Sequence, residues 1–435
     1  MTVKRAMEEG LGMQEKRALG VWAALALVVG NMIGSGIYLL PATLAPLGTN
    51  AMIGWVVTIA GAMCLAFVFA RLAALIPAAG GPYAFANAAF GPATGFAVAW
   101  SYWVLVWAGN GAIAVAVVSA LSLPFPVLGS GVPAVVATLA LVWGLVAVNI
   151  HGVGLAGRVQ VVTAALKLVP LAGVIALAAW LLLRDGGHAL AANPPVPLGA
   201  GAVAGAAALT FWGFLGVESA TVPADKVEDA ARVVPLVTIV GTALTGVVYV
   251  AVAAAIALMM PRAEIAASPA PVAAFLGRTF GEGIGDVVAL FAAISAFGAL
   301  NGFILLQGEM PWAMARGGVF PAWFGKESAA GTPARAHLVS GVLVTVVTLL
   351  NYTGKTGDLF AEVASISLAA GMLAYLASAL AALKLLRGDI AVAVAAVVAA
   401  GFVVWMTYGL GLKADLWGLA LLALGLPVYW WVRRG

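Results

Sequence analysis

The chain contains 435 residues, of which 64% are hydrophobic and only 9% are charged. A soluble domain carries about a quarter charged residues, so this composition excludes a soluble enzyme and a disordered chain. The net charge of +4 is also too small for a nucleic-acid binder with a strongly basic face. The chain is therefore expected to be an integral membrane protein with many spans.

Polar breaks and breaks rich in Gly or Pro divide the chain into twelve apolar segments. The runs are continuous rather than alternating, which favours helices over a β-barrel. The first segment follows charged residues and runs on into polar sequence, so we expect an uncleaved signal anchor. The lone cysteine, Cys64, forms no intramolecular disulfide. The predicted spans are residues 20–40, 51–76, 93–121, 133–150, 157–183, 202–219, 233–259, 283–310, 334–350, 358–384, 390–408 and 415–432.

The basic residues are concentrated in alternate loops. Of the 21 Lys and Arg residues, fifteen fall in the N-terminal segment and every second loop, five fall in the other loops, and Lys167 falls inside a span. Cytoplasmic loops carry the excess of positive charge in membrane proteins. We therefore expect both termini in the cytoplasm, an even number of spans and a location in the cell inner membrane.

Two spans are interrupted by glycine at corresponding positions, residues 30–36 in the first span and residues 213–219 in the sixth. Each glycine disfavours helix by about 1 kcal/mol relative to alanine. Unpaired backbone groups at membrane depth are tolerated only where they line a cavity or bind a ligand. Paired interruptions of this kind are typical of transporters built from inverted repeats. The alternative is that the glycines only allow close helix packing.

These patterns predict an all-α polytopic membrane protein with twelve transmembrane helices, arranged as an inverted five-helix repeat plus two C-terminal helices. The amides of Ser35, Gly36 and Ile37 open a half-helix and would attract a carboxylate. The carbonyls of residues 212–215 would accept hydrogen bonds from an ammonium group, so the two breaks suit the backbone of an α-amino acid. The predicted divisions are a cytoplasmic segment (1–19), the first repeat (20–185), the second repeat (186–388) and helices 11 and 12 (389–435).

Eight sequence stretches resemble the amino acid–polyamine–organocation (APC) superfamily. The similarity is strongest to bacterial arginine/agmatine antiporters and related basic amino acid/polyamine antiporters, and the stretches follow the family order along nearly the whole chain. They are GNMIGSGIYLLP (30–41), PAAGGPYAFANAAFGP (77–92), SYWVLVWAGN (101–110), RVQVVTAALKLVP (158–170), FWGFLGVESA (211–220), GALNGFILLQGE (298–309), GGVFP (317–321) and GTP (331–333).

The resemblance implies a substrate site at the two breaks. Ser35 and Gly36 would hold the substrate carboxylate, while the carbonyls of Met32, Trp212 and Leu215 would hold the α-amino group. Trp212 would also cap the substrate as an aromatic gate. The other implied substrate-site residues are Asn31, Ile33, Tyr102, Asn110, Phe303 and Ser365, and Glu218 would act as a gating, proton-linked carboxylate.

The chain departs from the arginine transporters at the side-chain pocket. Phe303 stands where those transporters have a tryptophan, and Phe is a weaker partner for a cation than Trp. Leu105 and Val106 replace smaller or weakly polar residues. These differences favour a smaller or more neutral substrate side chain than arginine.

Lys167 is predicted to lie in the middle of the fifth span, nine residues after Arg158. Several sodium-independent relatives carry a lysine in this context, where it replaces a sodium ion between spans one, five and eight. The resemblance therefore implies that Lys167 replaces sodium structurally or carries a proton. The alternative is a lysine that extends to the membrane surface.

Two other polar residues in the eighth span keep two interpretations each. Glu309 is either an interfacial acid paired with Arg316 or part of a proton path. Asn301 either bonds across helices or contacts substrate. For Ser365, a hydrogen bond to its own helix is the alternative to substrate contact.

We expect a secondary transporter that moves amino acids, and their decarboxylated amines, by alternating access with arginine/agmatine-like exchange. The alternatives are a proton-coupled, sodium-independent carrier of neutral amino acids and a transporter-like nutrient sensor. The expected partners are a small amino acid or amine and the lipid bilayer, with a homodimer left open. No enzyme motif, metal-ligand spacing or cofactor signature is present in the sequence, and no nucleic-acid partner is expected.

Overall fold

The computed structural model describes residues 19–281, 283–353 and 358–434. This part of the chain contains α-helices, short 3-10 helices and turns, with one isolated β-bridge between Leu19 and Val227. Residues 1–18 and Lys355, which entered the count of basic residues, lie outside the described residues. The α-helices are α1 (Val21–Met32), α2 (Gly36–Leu44), α3 (Thr49–Leu75), α4 (Pro82–Phe90), α5 (Pro92–Leu121), α6 (Gly131–His151), α7 (Val153–Asp185), α8 (Ala200–Phe211), α9 (Ala230–Met259), α10 (Arg262–Ala267), α11 (Pro271–Phe280), α12 (Ile284–Arg316), α13 (Ala334–Thr353), α14 (Asp358–Leu385), α15 (Ile390–Leu410), α16 (Leu412–Ala423) and α17 (Gly425–Arg434).

The predicted membrane class and helical fold are confirmed. Within the described ranges, eleven helical segments are long and apolar enough to cross a membrane. The remaining predicted span, the sixth, corresponds to the shorter apolar segment Ala200–Phe214. Its α-helix ends at Phe211 and a 3-10 turn follows at Trp212–Phe214. The chain then continues in turns to residue 223, so the second half of this span contains no α-helix.

The first span is also divided in two. α1 ends at Met32, and α2 begins at Gly36 after three residues outside regular helix. The amide of Gly34 donates to the carbonyl of Met32 instead of continuing the helical pattern. The carbonyl of Gly30 is thereby released from its usual partner four residues later. The first interruption falls within residues 30–36, whereas the second overlaps residues 213–219 and extends beyond them to residue 223.

The divided first span lies at the centre of the helix assembly. α1 packs against α7, α9 and α12, and α12 packs in turn against α5 and α7. Two-thirds (67%) of the apolar window of Val21–Leu47 is buried inside the protein, against 11% for Leu412–Arg434. The broken helices therefore belong to the protein interior, whereas the last span presents most of its surface to the surroundings.

Candidate functional site

The two helix breaks are tied together by one tyrosine hydroxyl. Tyr249 on α9 is completely buried, and its hydroxyl lies 2.6 Å from the carbonyl oxygen of Met32 and 3.2 Å from that of Gly213. The hydroxyl carries one hydrogen, so it donates to one of the two carbonyls at a time. The tyrosine supplies a polar partner to backbone groups that helix formation leaves unpaired.

A second contact between the breaks runs through Asn31. Its side-chain amide donates to the hydroxyl of Ser219, 2.8 Å away, and its oxygen accepts from Gln160 on α7. Gly216 lies directly against Asn31 with a φ of +103°, and a Cβ there would come within 2.7 Å of the Asn31 side chain. Only glycine combines this conformation with this close approach. The break in the sixth span is therefore shaped to fit the break in the first.

A cavity lies between the two breaks and the facing sides of α5 and α12. The cavity is narrow and partly open to the outside, with about 40 Å³ of room for the centres of water-sized molecules. Ser35, Gly36 and Trp212 keep partial exposure at its wall, whereas Met32 and Phe303 are buried. The lining residues are Asn31, Met32, Gly34, Ser35, Gly36, Leu105, Val106, Gly109, Ile113, Trp212, Gly213, Leu215, Ala299 and Phe303.

The cavity has a polar end and an apolar side. The polar end is formed by backbone at the two breaks, where Ser35 precedes the first residue of α2 and Leu215 follows the 3-10 turn. Amides at a helix N-terminus attract anions, and freed carbonyls attract cations. The side is formed by Leu105, Val106 and Phe303, and no lining residue within the described part of the chain is an acid or a base. The cavity can thus hold a molecule with a polar head and an extended apolar body.

Lys167 lies next to the first break and not in the cavity lining. It is completely buried, and its ammonium donates to the carbonyls of Gly30 at 2.7 Å, Ile33 at 2.6 Å and Ser295 at 3.0 Å. Its three donors are therefore all used, and the side chain does not extend to the membrane surface. The hydroxyl of Ser295 lies within hydrogen-bonding distance of the carbonyls of Ile33 and Gly34. This arrangement links the first, fifth and eighth predicted spans through one positive charge.

Glu218 is held by two tyrosines beneath the second break. The hydroxyl of Tyr102 on α5 donates to Oε1 at 2.6 Å, and that of Tyr375 on α14 donates to Oε2 at 2.9 Å. All three side chains are completely buried. Both carboxylate oxygens therefore have a donor, and the cluster joins the broken span to two long helices.

Four residues expected at the substrate are placed elsewhere. Tyr102 is turned toward Glu218, and the side-chain amide of Asn110 donates to Oε1 of Gln307 at 2.7 Å. Ile33 is buried with its carbonyl bound to Lys167, and Ser365 on α14 is half-buried outside the cavity lining. Because contacts between spans involve Tyr102, Asn110 and the carbonyl of Ile33, the cavity wall is more apolar than the sequence motifs suggest.

The two polar residues of the eighth span both have partners on other elements. Glu309 is completely buried and forms an ion pair with Lys226, not with Arg316. Lys226 is one of the basic residues assigned to loops from the sequence, but only 7% of its side chain is exposed. Asn301 donates to the carbonyl of Ala156 and to Oε1 of Gln160, so it bonds across helices.

Several residues that organise the site carry no sequence signal of their own. A tyrosine in an apolar helix, such as Tyr249 or Tyr375, is equally compatible with simple packing. Gln160 and Ser219 are single polar residues whose partners come from distant spans. Lys226 has the appearance of an ordinary loop charge because it follows the second break. Only the assembled fold shows what these side chains contact.

The chain is similar to known transporters over most of its length. The family model described as amino acid permease matches residues 19–412. The chain is 37% identical to the cadaverine/lysine antiporter of Escherichia coli (strain K12), over 83% of this chain and 82% of the relative. It is 27% identical to the putrescine transporter PotE of Haemophilus influenzae, over 95% and 97%, and 28% identical to PotE of Escherichia coli (strain K12), over 94% and 95%.

Proposed function

This chain belongs to the amino acid permease family, a family of transporters and not of enzymes, and from that premise we propose that it exchanges lysine for a primary diamine such as cadaverine. The proposal is carried by one observation, the cavity in which backbone groups of two broken helices meet a narrow apolar side wall. Its similarity to a cadaverine/lysine antiporter over most of both chains supports the choice of substrates. Arginine and agmatine, whose planar guanidinium favours a tryptophan at position 303, are the less suitable pair.

In the proposed exchange the lysine molecule would lie along the cavity from head to tail. The amides at Ser35 and Gly36 would receive the carboxylate, and the carbonyls near Trp212 and Leu215 would receive the α-ammonium. The four methylenes of the side chain would pack along the apolar wall. The ring of Phe303 would face the distal ammonium, where an aromatic face is worth about 0.5–2 kcal/mol.

A diamine such as cadaverine fits the same cavity because it keeps both amino groups and the methylene chain. It lacks only the carboxylate, so the Ser35 end would be filled by water. Both substrates would therefore compete for one site, as an exchanger requires. Each would need to be carried in turn for the site to change the side to which it opens.

We further propose that the end of the molecule where Lys226 lies, the Lys226 end, faces the cytoplasm. We also propose that residues 20–185 and 186–388 form two inverted five-helix halves. The excess of basic residues at this end supports the orientation. In this arrangement Lys167 would take the place of a sodium ion between the first, fifth and eighth spans. Glu218, bound between two tyrosines, would respond to substrate and protons during opening of the inner path.

The proposal is tested by counterflow in proteoliposomes. Purified protein is reconstituted, the vesicles are loaded with unlabelled cadaverine, and uptake of labelled lysine is followed against empty vesicles. Exchange predicts uptake only into loaded vesicles, with competition by external cadaverine. Uptake into empty vesicles that depends on a pH gradient would point to a symporter instead.

A second candidate, a carrier of neutral amino acids, is favoured by the absence of any acid among the described cavity-lining residues. The same vesicles distinguish it. Loading with leucine or alanine would then drive uptake of labelled leucine or alanine, and cadaverine would not compete. If no amino acid or amine moves under either arrangement, the proposed transport is wrong.

A further inference from the structure

A second group of buried polar atoms lies near the C-terminal end of α12, nearly two turns of helix beyond Phe303 in the cavity wall. Glu309 and Trp312 are three residues apart and so occupy one face of this helix. The ammonium of Lys226 pairs with Oε1 of Glu309 and sits 5.0 Å from the centre of the Trp312 ring. A carboxylate together with an aromatic face is the usual way for a protein to bind an ammonium group.

This group offers more hydrogen-bonding capacity than Lys226 uses. Among the described residues, no partner is present for Oε2 of Glu309 or for Nε1 of Trp312. The ring of His337 lies near the backbone of Ile304 and the ammonium of Lys226. Glu309 and His337 are completely buried, and His337 packs against Gly308. Buried polar atoms are rarely left without a partner. Oε2 of Glu309 can accept a hydrogen bond, whereas the indole nitrogen of Trp312 can only donate one, so the free acceptor of this site belongs to Glu309.

Lys226 lies in a segment that is tied to two other parts of the chain. It belongs to the segment that follows the second break, and its neighbours bond to two other elements. The carbonyl of Lys226 accepts from the amide of Leu19, and the carbonyl of Val222 accepts from the amide of Gly80. A movement of that segment would withdraw the ammonium from Glu309 and Trp312.

We propose that Glu309, Trp312 and His337 form a binding site for the primary ammonium of an incoming amine, and that Lys226 occupies it as a built-in substitute while this end is closed. The ε-ammonium of Lys226 and the terminal ammonium of lysine or cadaverine are the same chemical group on the same kind of methylene chain. The choice of substrate rests on the proposed amine exchange. The charged neighbours of the site are Asp225, Glu327 and Arg316.

The alternative is a simple lock, meaning an ion pair whose only role is to hold this end closed. The two roles can be distinguished by measurement. In a lock, Lys226 and Glu309 are equivalent, since losing either one frees the closed end. In an ammonium site they are opposites, since losing Lys226 vacates the site and losing Glu309 destroys it.

The test is chemical rescue of purified protein in detergent, which requires no transport. Lys226→Ala removes three methylenes and the ammonium, so propylammonium chloride supplies the missing group. We expect the variant to melt at a lower temperature than the unaltered chain in NaCl and to regain stability saturably in propylammonium chloride of equal ionic strength. Neither Glu309→Gln nor the double variant Lys226→Ala/Glu309→Gln should respond. If Lys226→Ala does not fold in NaCl, the same comparison is made on the yield of monodisperse protein.

Equal effects of propylammonium on Lys226→Ala and on the double variant would overturn the proposal, as would no effect beyond that of NaCl. A second arm uses Trp312→Leu in right-side-out and everted membrane vesicles. Loss of the aromatic face should raise the cadaverine KM about tenfold at the Lys226 end only. A lock would shift the KM at both ends in opposite directions. If the unaltered chain exchanges no amine while rescue succeeds, the proposed function fails and the ammonium site stands.

Discussion

The ammonium of Lys167 lies 2.7 Å from the carbonyl oxygen of Gly30, at the point where the first span stops being a helix. The break releases the carbonyls of Gly30 and Ile33, and the lysine donates a hydrogen bond to each of them. A lysine at this depth costs several kcal/mol unless it is fully bonded. Each feature therefore makes the other tolerable, and the shape of the substrate cavity depends on both.

Replacing Lys167 should destabilise the first break mainly through the loss of its hydrogen bonds and not through a loss of side-chain volume. Lys167→Met keeps most of the side-chain volume but leaves the carbonyls of Gly30, Ile33 and Ser295 without their donor, at about 1–3 kcal/mol for each unsatisfied group. We expect a lower melting temperature and at least tenfold weaker lysine binding. Thermal unfolding with and without lysine measures both effects.

Exposed Lys384 is not part of the site, and Lys384→Met serves as the control for loss of a lysine. If Lys167→Met transported lysine normally at every pH, Lys167 would have no role as a sodium substitute. Partial recovery of its stability by Na⁺, but not by choline, would support that role directly.

Glu218 should couple to its two tyrosines. Tyr102→Phe and Tyr375→Phe each remove one donor from the carboxylate without changing the ring. We expect each to slow exchange, and we expect the double variant to differ from the sum of the two by about 0.5–3 kcal/mol, as for residues in one hydrogen-bond network. Counterflow rates for the four proteins give the coupling energy, and strict additivity would show that the tyrosines act independently.

The ring at position 303 should set the preference between cationic and neutral substrates. Phe303→Trp offers a stronger cation–π partner, and Phe303→Leu offers none. We expect lysine affinity to rise a few-fold in the first variant and to fall about tenfold in the second. Competition assays with lysine and leucine separate this effect from a change in pocket volume. An equal change for both substrates would remove Phe303 from cation recognition.

The carboxylate end of the cavity can be tested by introducing a larger side chain at Ser35. Ser35→Leu would fill the space in front of the amides that open α2, so lysine binding should be lost while the fold is retained. Leu39→Phe is a matched change on the outer side of the same helix, where the side chain is 46% exposed, and it should leave affinity unchanged. Retention of lysine affinity by Ser35→Leu would contradict the assignment of this end.

The orientation can be measured with single cysteines, since the chain contains only Cys64. In a Cys64→Ala background, Ala329→Cys lies in an exposed loop at the Lys226 end and Ser130→Cys in an exposed loop of the opposite set. An impermeant thiol reagent added to intact cells should label position 130 and spare position 329. The reverse pattern would place the Lys226 end outside.

The fold class was predictable because it depends on composition and on the length of apolar runs. The interruptions of the first and sixth spans were also predictable from the sequence, because glycines such as Gly30, Gly34 and Gly36 weaken a helix wherever it lies. The partners of the polar residues were not readable. Tyr102 and Asn110 lie in a family motif, yet both form hydrogen bonds to residues outside their own helix. Lys226 lies in a loop of the sequence, but in the fold it is buried beside Glu309. Such contacts depend on which helix faces meet, and no local pattern records that.

The central claim is that one cavity carries lysine and a diamine in turn. Its most direct measurement is the uptake of labelled lysine into proteoliposomes that contain cadaverine, compared with empty ones. The account predicts rapid uptake with internal cadaverine and negligible uptake without it. In Ser35→Leu, the uptake that internal cadaverine stimulates should be lost. Equal uptake into loaded and empty vesicles, or uptake that internal cadaverine does not stimulate, would contradict exchange through this cavity.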